Sequence, residues 1–176
     1  MSILRCLLVS AMLAAAPVHA QKTMNPPAQA ADLFDFWVGD WDAAWTAPDG
    51  TAGRGRNRVT KVLDAAVIEE NFEETPDGKT PPLHGRSLSV LHKASGVWKQ
   101  AWTDNQGGFF AFTGQVDGDK RIFITDTVHA DGKASAQRMV FYAIRKDSFN
   151  WDWESTNDGG KSWKLQWRIA YRRRGG

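Results

Sequence analysis

Four carboxylates crowd into one short run at Glu69, Glu70, Glu73 and Glu74. Two carboxyl groups held roughly 5–9 Å apart can share acid and base work. Adjacency spoils that here, because in a strand Glu69 and Glu70 project to opposite faces and only Glu70 keeps the side of Ile68 and Phe72. A single base is the most this run offers. Asp104 and Arg138 form a second set. Turned inward together, they would make a buried ion pair or an arginine waiting for an anionic ligand. In a reaction Asp104 or Glu70 would act as base and Arg138 as electrophilic stabiliser. The competing reading leaves Arg138 in water and lets Asp104 open an Asx turn into Asn105-Gln106-Gly107-Gly108.

Other chemistry finds little support. His84, His92 and His129 fall at strand ends or turns, without the i, i+4 spacing or a cysteine partner that would suggest zinc. No P-loop, Gly-x-Gly-x-x-Gly or Ser-His-Asp arrangement is present. Neither a metal nor a cofactor is expected. The net charge is +2, with 22 basic and 20 acidic residues interspersed, so no field favours nucleic acid or an anionic membrane. The only basic cluster, Arg172-Arg173-Arg174, reads as a solvated end with one arginine free to pack on an aromatic ring.

These side chains must be positioned by strands. Trp163, Leu165, Trp167, Ile169 and Tyr171 alternate with Lys164, Gln166 and Arg168, the pattern of a half-buried antiparallel strand. Folded back on residues 151–155, it sets Trp151 opposite Trp167, Trp153 opposite Leu165 and Glu154 opposite Lys164. A loop at 93–96 joins strands 85–92 and 97–104, Asp117-Gly118 offers a turn between 109–116 and 119–127, and Asp131-Gly132 offers another. Lys146-Asp147 closes a further hairpin that sets Tyr142 opposite Trp151. No segment has a helical period of ten residues or more. The expectation is an all-β chain of roughly eight to ten strands, closed as an antiparallel up-and-down barrel. An open sheet or a sandwich is the alternative.

The hairpin registers then select the lumen. Ser87, Ser89, Gln100 and Asp104 point inward with Trp98 and Trp102, and Thr125, Arg138 and Tyr142 with Phe123 and Val140. Ser87, Ser89, Gln100, Trp102, Asp104, Arg138 and Tyr142 are the expected ligand contacts, an aromatic wall with a few convergent polar groups.

Near the start, Asp32 to Val38 reads as a short helix with Asp32 as N-cap and Gly39 ending it. The following Gly39-Asp40-Trp41 resembles the first strand of lipocalins and other calycins, where the tryptophan plugs the closed end of the barrel and a late arginine crosses it. That resemblance implies Arg168 or Arg172 for the arginine. Taken with GRSLSVLHKASGVWKQAWTDNQGG, WESTNDGGKSW and the terminal YRRR, residues 33–173 resemble a family of small exported bacterial proteins of unknown function with a calycin-like barrel. The haem-binding branch of calycins uses a histidine on a late strand, and no histidine follows His129 here. Thr156 to Trp163 also resembles the Asp-box turn of sialidases, in which Asp158 gathers backbone N–H groups. It is read as a folding device.

Residues 1–20 carry Arg5, an apolar stretch from Cys6 to Ala16 and Val18-His19-Ala20, the pattern of a signal peptide cleaved after Ala20. Residues 21–31 read as a flexible leader and 32–174 as one barrel domain, periplasmic or secreted and not membrane-inserted. Cleavage would remove Cys6, the only cysteine. Three functions fit. The first is binding of a small, largely apolar ligand, with an anionic group as an option. The others are a cofactor-free lyase or isomerase in the same lumen, and an envelope interaction protein with a packed core. The oligomeric state is not legible.

Overall fold

The structure, a computed structural model, describes residues 28–175. The expected signal peptide, residues 1–20, lies outside the described residues, as do residues 21–27 of the expected leader. Eleven strands follow one short helical turn: β1 (Gly39–Thr46), β2 (Ala52–Val62), β3 (Val67–Glu74), β4 (His84–His92), β5 (Val97–Asp104), β6 (Phe109–Asp117), β7 (Lys120–Thr125), β8 (Val128–Ala130), β9 (Lys133–Tyr142), β10 (Ser148–Thr156) and β11 (Lys164–Arg173). Each pairs antiparallel with its sequence neighbour, except that β9 passes β8 to pair with β7, and β11 returns to β1. The result is a closed ten-stranded up-and-down barrel. The short strand β8 forms a flap on the end of β9.

One end of the barrel is sealed by the chain that enters it. The helix expected over 32–38 shortens to a single 3-10 turn, Asp35–Trp37, and Asp32 contributes its backbone carbonyl to the Asp35 N–H (2.9 Å) instead of a side-chain cap. Phe34, Trp37 and Trp41 are fully buried there, with Phe34 stacked on Phe123 at 4.3 Å. The Trp41 indole donates to the Trp37 carbonyl (2.8 Å). The arginine crossing it is Arg173, not Arg168 or Arg172, at 4.1 Å from the ring centroid. Parity decides this, because Arg173 shares the inward face of Ile169 and Tyr171 whereas Arg168 and Arg172 point out. Its guanidinium continues to the carbonyls of Val38 (3.0 Å) and Phe36 (3.4 Å). Gly39, at φ +149°, lies where a Cβ would collide with that guanidinium, so Gly-x-Trp is required by both conformation and space. Residues 28–31, the end of the expected leader, are held at this same end. Gln29 bonds the Gly96 carbonyl, the Gly114 carbonyl and the Trp98 N–H at 2.7, 2.7 and 2.8 Å.

The 85–104 hairpin has the expected register, with Ser87 opposite Trp102 and Ser89 opposite Gln100. β10 and β11 slip by two residues, so that Trp151 faces Ile169 and Trp153 faces Trp167. A slip of two preserves the faces. Leu165 is nevertheless exposed, because a bulge at Trp153/Glu154 intervenes, and Trp163 lies beyond the strand. β9 differs by one residue, which matters more. Residues 126–127 interrupt the run between β7 and β8, and Arg138 faces Ile124. That places Met139 and Phe141 in the core and turns Arg138, Val140 and Tyr142 to the outer face, where Val140 is nonetheless buried. A second single-residue offset after β9, where Ala143 adopts φ +50°, sets Trp151 opposite Phe141 and restores the inward faces of β10.

Candidate functional site

Aromatic residues fill both halves of the lumen, but not equally. Trp37, Trp41, Phe34, Phe123 and Phe141 at the sealed end are at most 1 % exposed. Trp102, Trp151, Trp153 and Trp167 at the open end are only partly buried. They surround a cavity of about 210 Å³ that reaches from Glu70, Ile169 and Tyr171 outward to Asp104 and Gln106. Trp151 and Trp153 lie nearly parallel at 6.4 Å, while Trp151 and Phe110 meet Trp167 and Trp153 edge-on at 5.7 and 5.4 Å. Two glycines make room for indoles of this half, Trp102 in the cavity wall and Trp45 beside it. A Cβ on Gly53 would strike the Trp45 ring, and one on Gly85 the Trp102 ring, so each indole lies over a residue without a side chain.

Glu70 lines the base of the cavity as the one member of a buried polar cluster that reaches it, whereas Ser87, Ser89 and Gln100 do not. Asn57 Nδ2 donates to Glu70 Oε1 and Ser87 Oγ to Glu70 Oε2, both at 2.7 Å, and Gln100 Nε2 reaches Ser87 (3.2 Å) and Ser89 (3.0 Å). Glu70, Ser87, Ser89 and Gln100 thus occupy the interior. Burial pushes the Glu70 carboxyl up to about 7, against the lowering effect of its bonds from Ser87 and Asn57. Tyr171 lines the same cavity, and burial, followed by the nearby Glu70 charge, raises its hydroxyl far above its ordinary value. The indoles of β10 and β11 complete a site that the expected ligand contacts had only partly named, and Asn57, which does not line the cavity itself, holds Glu70 in place. Asn57 had its own signal. Arg54, Arg56 and Arg58 alternate with Gly55, Asn57 and Val59, which marks the latter as inward residues of β2.

Asp104 sits at the rim and performs the turn role. Its carboxylate accepts from the Trp102 indole (2.9 Å) and from the Gly108 (2.8 Å) and Gln106 (3.0 Å) amides. Partial burial would raise this carboxyl, but those three donors hold it below its ordinary value. An Asp104–Arg138 pair does not form. Arg138 is bonded to Glu154 at 2.6 Å and stacks on Trp163 at 4.0 Å, outside the barrel, and Tyr142 reaches Asp152 (3.3 Å) on that same outer face. Arg168 chelates Asp152 beside it at 2.8 and 2.6 Å. The expected pairing of a base with Arg138 is therefore absent, and among the described residues no basic side chain lines the cavity as a countercharge for an anionic ligand. Arg138→Met should cost about 1–2 kcal/mol in urea unfolding, because Glu154 loses a charged hydrogen bond in a half-buried setting. Lumen binding should be unchanged, and a tenfold loss of it would return Arg138 to the interior.

The Asp-box turn is built as a folding device. Asp158 accepts from the Ser162 hydroxyl (2.6 Å), the Thr156 hydroxyl (2.7 Å) and the Ser162 amide (3.0 Å), which hold its carboxyl far below the usual range. Gly159 donates its amide to Ala134 and so ties the turn to β9. A second depression lies on the outer face of β2, β3 and β4, among Arg56, Arg58, Glu69, Glu73 and Arg86. Its alternating charges face solvent. Among the described residues no group of three or more His, Cys, Asp or Glu side chains could hold a metal ion.

No protein-family model and no curated protein matches the sequence. Solved structures do. An S-type phycobiliprotein lyase, CPES from Guillardia theta, aligns over 82 % of this chain and 92 % of its own, at 15 % identity and a TM-score of 0.47. Rv2717c from M. tuberculosis aligns over 83 % of this chain and 99 % of its own, at 11 % identity and a TM-score of 0.48. Likeness at this level concerns the fold and extends no activity to this chain.

Proposed function

We propose that the barrel binds one small, largely apolar molecule in its open half, with rings or chain against the indoles and a hydrogen-bonding group at Glu70. The observation that carries this is the contrast between the two halves. The same residue types pack solid at one end and enclose about 210 Å³ at the other. Apolar cavities of about 150 Å³ take up benzene, and drug-sized ligands occupy roughly 300 Å³ or more, so a compact ligand fits best. A lumen packed solid, as an interaction protein would tolerate, does not match this cavity.

A lyase or isomerase remains a second reading because of one feature. A carboxyl with a pKa near neutrality, beside an apolar cavity, is suited to taking up and returning a proton. Export belongs to the proposal as well, resting on the signal-peptide pattern of residues 1–20.

Mass spectrometry of the protein purified from its native cells tests these readings together. The expected result is an intact mass beginning at Gln21 and one recurring small molecule that excess 2-phenylethanol displaces. Recovery of that molecule in a chemically altered form after incubation would favour the enzyme. No recurring compound, and no saturable binding of 2-phenylethanol, would contradict the binding role.

A further inference from the structure

The charge inside the cavity is of one sign. Among the described residues, Glu70 at the base and Asp104 at the rim are the carboxyls that line it, and no lysine, arginine or histidine does. Arg138 of β9 and Arg168 of β11 are engaged outside, on Glu154 and Asp152. Glu70 accepts one hydrogen bond on each oxygen, which leaves about half the lone-pair capacity of a carboxylate free. Beside it, Asn57 is 1 % exposed and its Oδ1 has no hydrogen-bond partner. The walls are indole faces, which carry negative potential. An anion and π-faces therefore dominate the lining, and the donors there, the Tyr171 hydroxyl and the indole N–H groups, carry no positive charge.

We propose that the ligand is a small amine bound in its protonated form, its ammonium group against Glu70 and its hydrocarbon among Trp102, Trp153 and Trp167. This rests on the reading of the open half as a binding site and adds the chemical class. A buried carboxylate without a countercharge is costly. In the empty barrel a proton relieves that cost, and a bound ammonium group would do so in its place. Proton and ligand then compete for Glu70. The groups facing it are Asn57 and Val59 from β2, Ser87 from β4 and Tyr171 from β11, none of them basic. Tyr171 keeps its proton throughout the neutral range, and Asp104 stays ionised at the rim. Glu70 is thus the group whose titration the ligand feels.

Calorimetric titration of the full chain with 2-phenylethylamine, 2-phenylethanol and 3-phenylpropionate, at pH 8 and at pH 5.5, tests the assignment on one hydrocarbon frame. The amine should bind at pH 8 about tenfold or more tightly than the alcohol, with the carboxylate weakest, and should lose about tenfold or more at pH 5.5 as Glu70 takes up its proton. Glu70→Gln should abolish both the amine preference and the pH dependence, so that the amine binds no more tightly than the alcohol at either pH. Equal binding of carboxylate and amine, or an amine preference that survives in Glu70→Gln, would overturn the cation assignment alone. Failure of all three compounds to saturate would overturn it together with the lumen as a binding site.

Discussion

Trp41→Ala is expected to destabilise the barrel by about 3–5 kcal/mol, the range for deleting a buried aromatic from a core. Trp41 is fully buried, meets Phe149 edge-on at 4.8 Å, supports Arg173 at 4.1 Å and satisfies the Trp37 carbonyl. Truncation removes all of these at once. It leaves a guanidinium without its ring and a carbonyl without its donor, at the point where the incoming chain closes the barrel. Since a domain of this size has about 5–15 kcal/mol in total, the loss is a large fraction of its stability. Trp45, six residues from Arg-lined Gly39 along the same strand but at the open end, is only partly buried, and its truncation should cost visibly less. Urea unfolding of both variants measures the difference. A loss below about 1 kcal/mol for Trp41→Ala would mean that the sealed end does not depend on it.

Glu70→Gln should act in the opposite direction and only over part of the pH range. The Glu70 carboxyl is raised from 4.5 to about 7 by burial, so the folded protein holds this proton more tightly than the unfolded chain. Its contribution is fully present below about pH 4.5 and is lost as the pH rises through 7, which amounts to about 3 kcal/mol at 1.36 kcal/mol per unit. The amide keeps the shape and never ionises. At pH 8 the variant should therefore be more stable than the wild type by up to about 3 kcal/mol, and near pH 4 the two should converge. Taking the difference between the two proteins removes the acid-side loss that Asp104 and Asp158, with their lowered carboxyls, impose on both. A difference that stays constant from pH 4 to pH 8 would show that Glu70 is solvated.

The pattern of tryptophan, phenylalanine and turn residues carried most of this fold. The alternation from Trp167 to Tyr171 and the turns at 93–96 and 117–118 pointed to antiparallel hairpins and to a closed barrel, because one apolar face must be covered and each short hairpin leaves one partner. The inward polar set on β4 and β5, Ser87, Ser89, Gln100 and Asp104, was legible for the same reason. Arg138 and Tyr142 were not. Their face depends on whether residues 126–127 stay in the strand, and nothing in Asp126-Thr127 announces that the chain gains a residue there. Charge alone argued for the outer face of Arg138, and that proved the better guide. Glu70 could be placed inward from Ile68 and Phe72, but its partner Asn57 lies on another strand and only the register of β2 on β3 brings them together. The basic tail shows the same limit, since three consecutive arginines do not reveal which one crosses Trp41.

The central claim is that the open half of the lumen, and no other part of the molecule, receives the ligand. The chain reports on this itself, because its nine tryptophans are distributed over the sealed end, the cavity and the outer surface. In a proton–nitrogen correlation spectrum each indole N–H gives one signal, followed here during titration with 2-phenylethylamine at pH 8. Saturable shifts should concentrate on Trp102, Trp151, Trp153 and Trp167, while Trp37, Trp41 and Trp98 at the sealed end and Trp163 under Arg138 stay in place. Shifts centred on Trp163 or on the sealed end, with the four cavity indoles unmoved, would contradict the account.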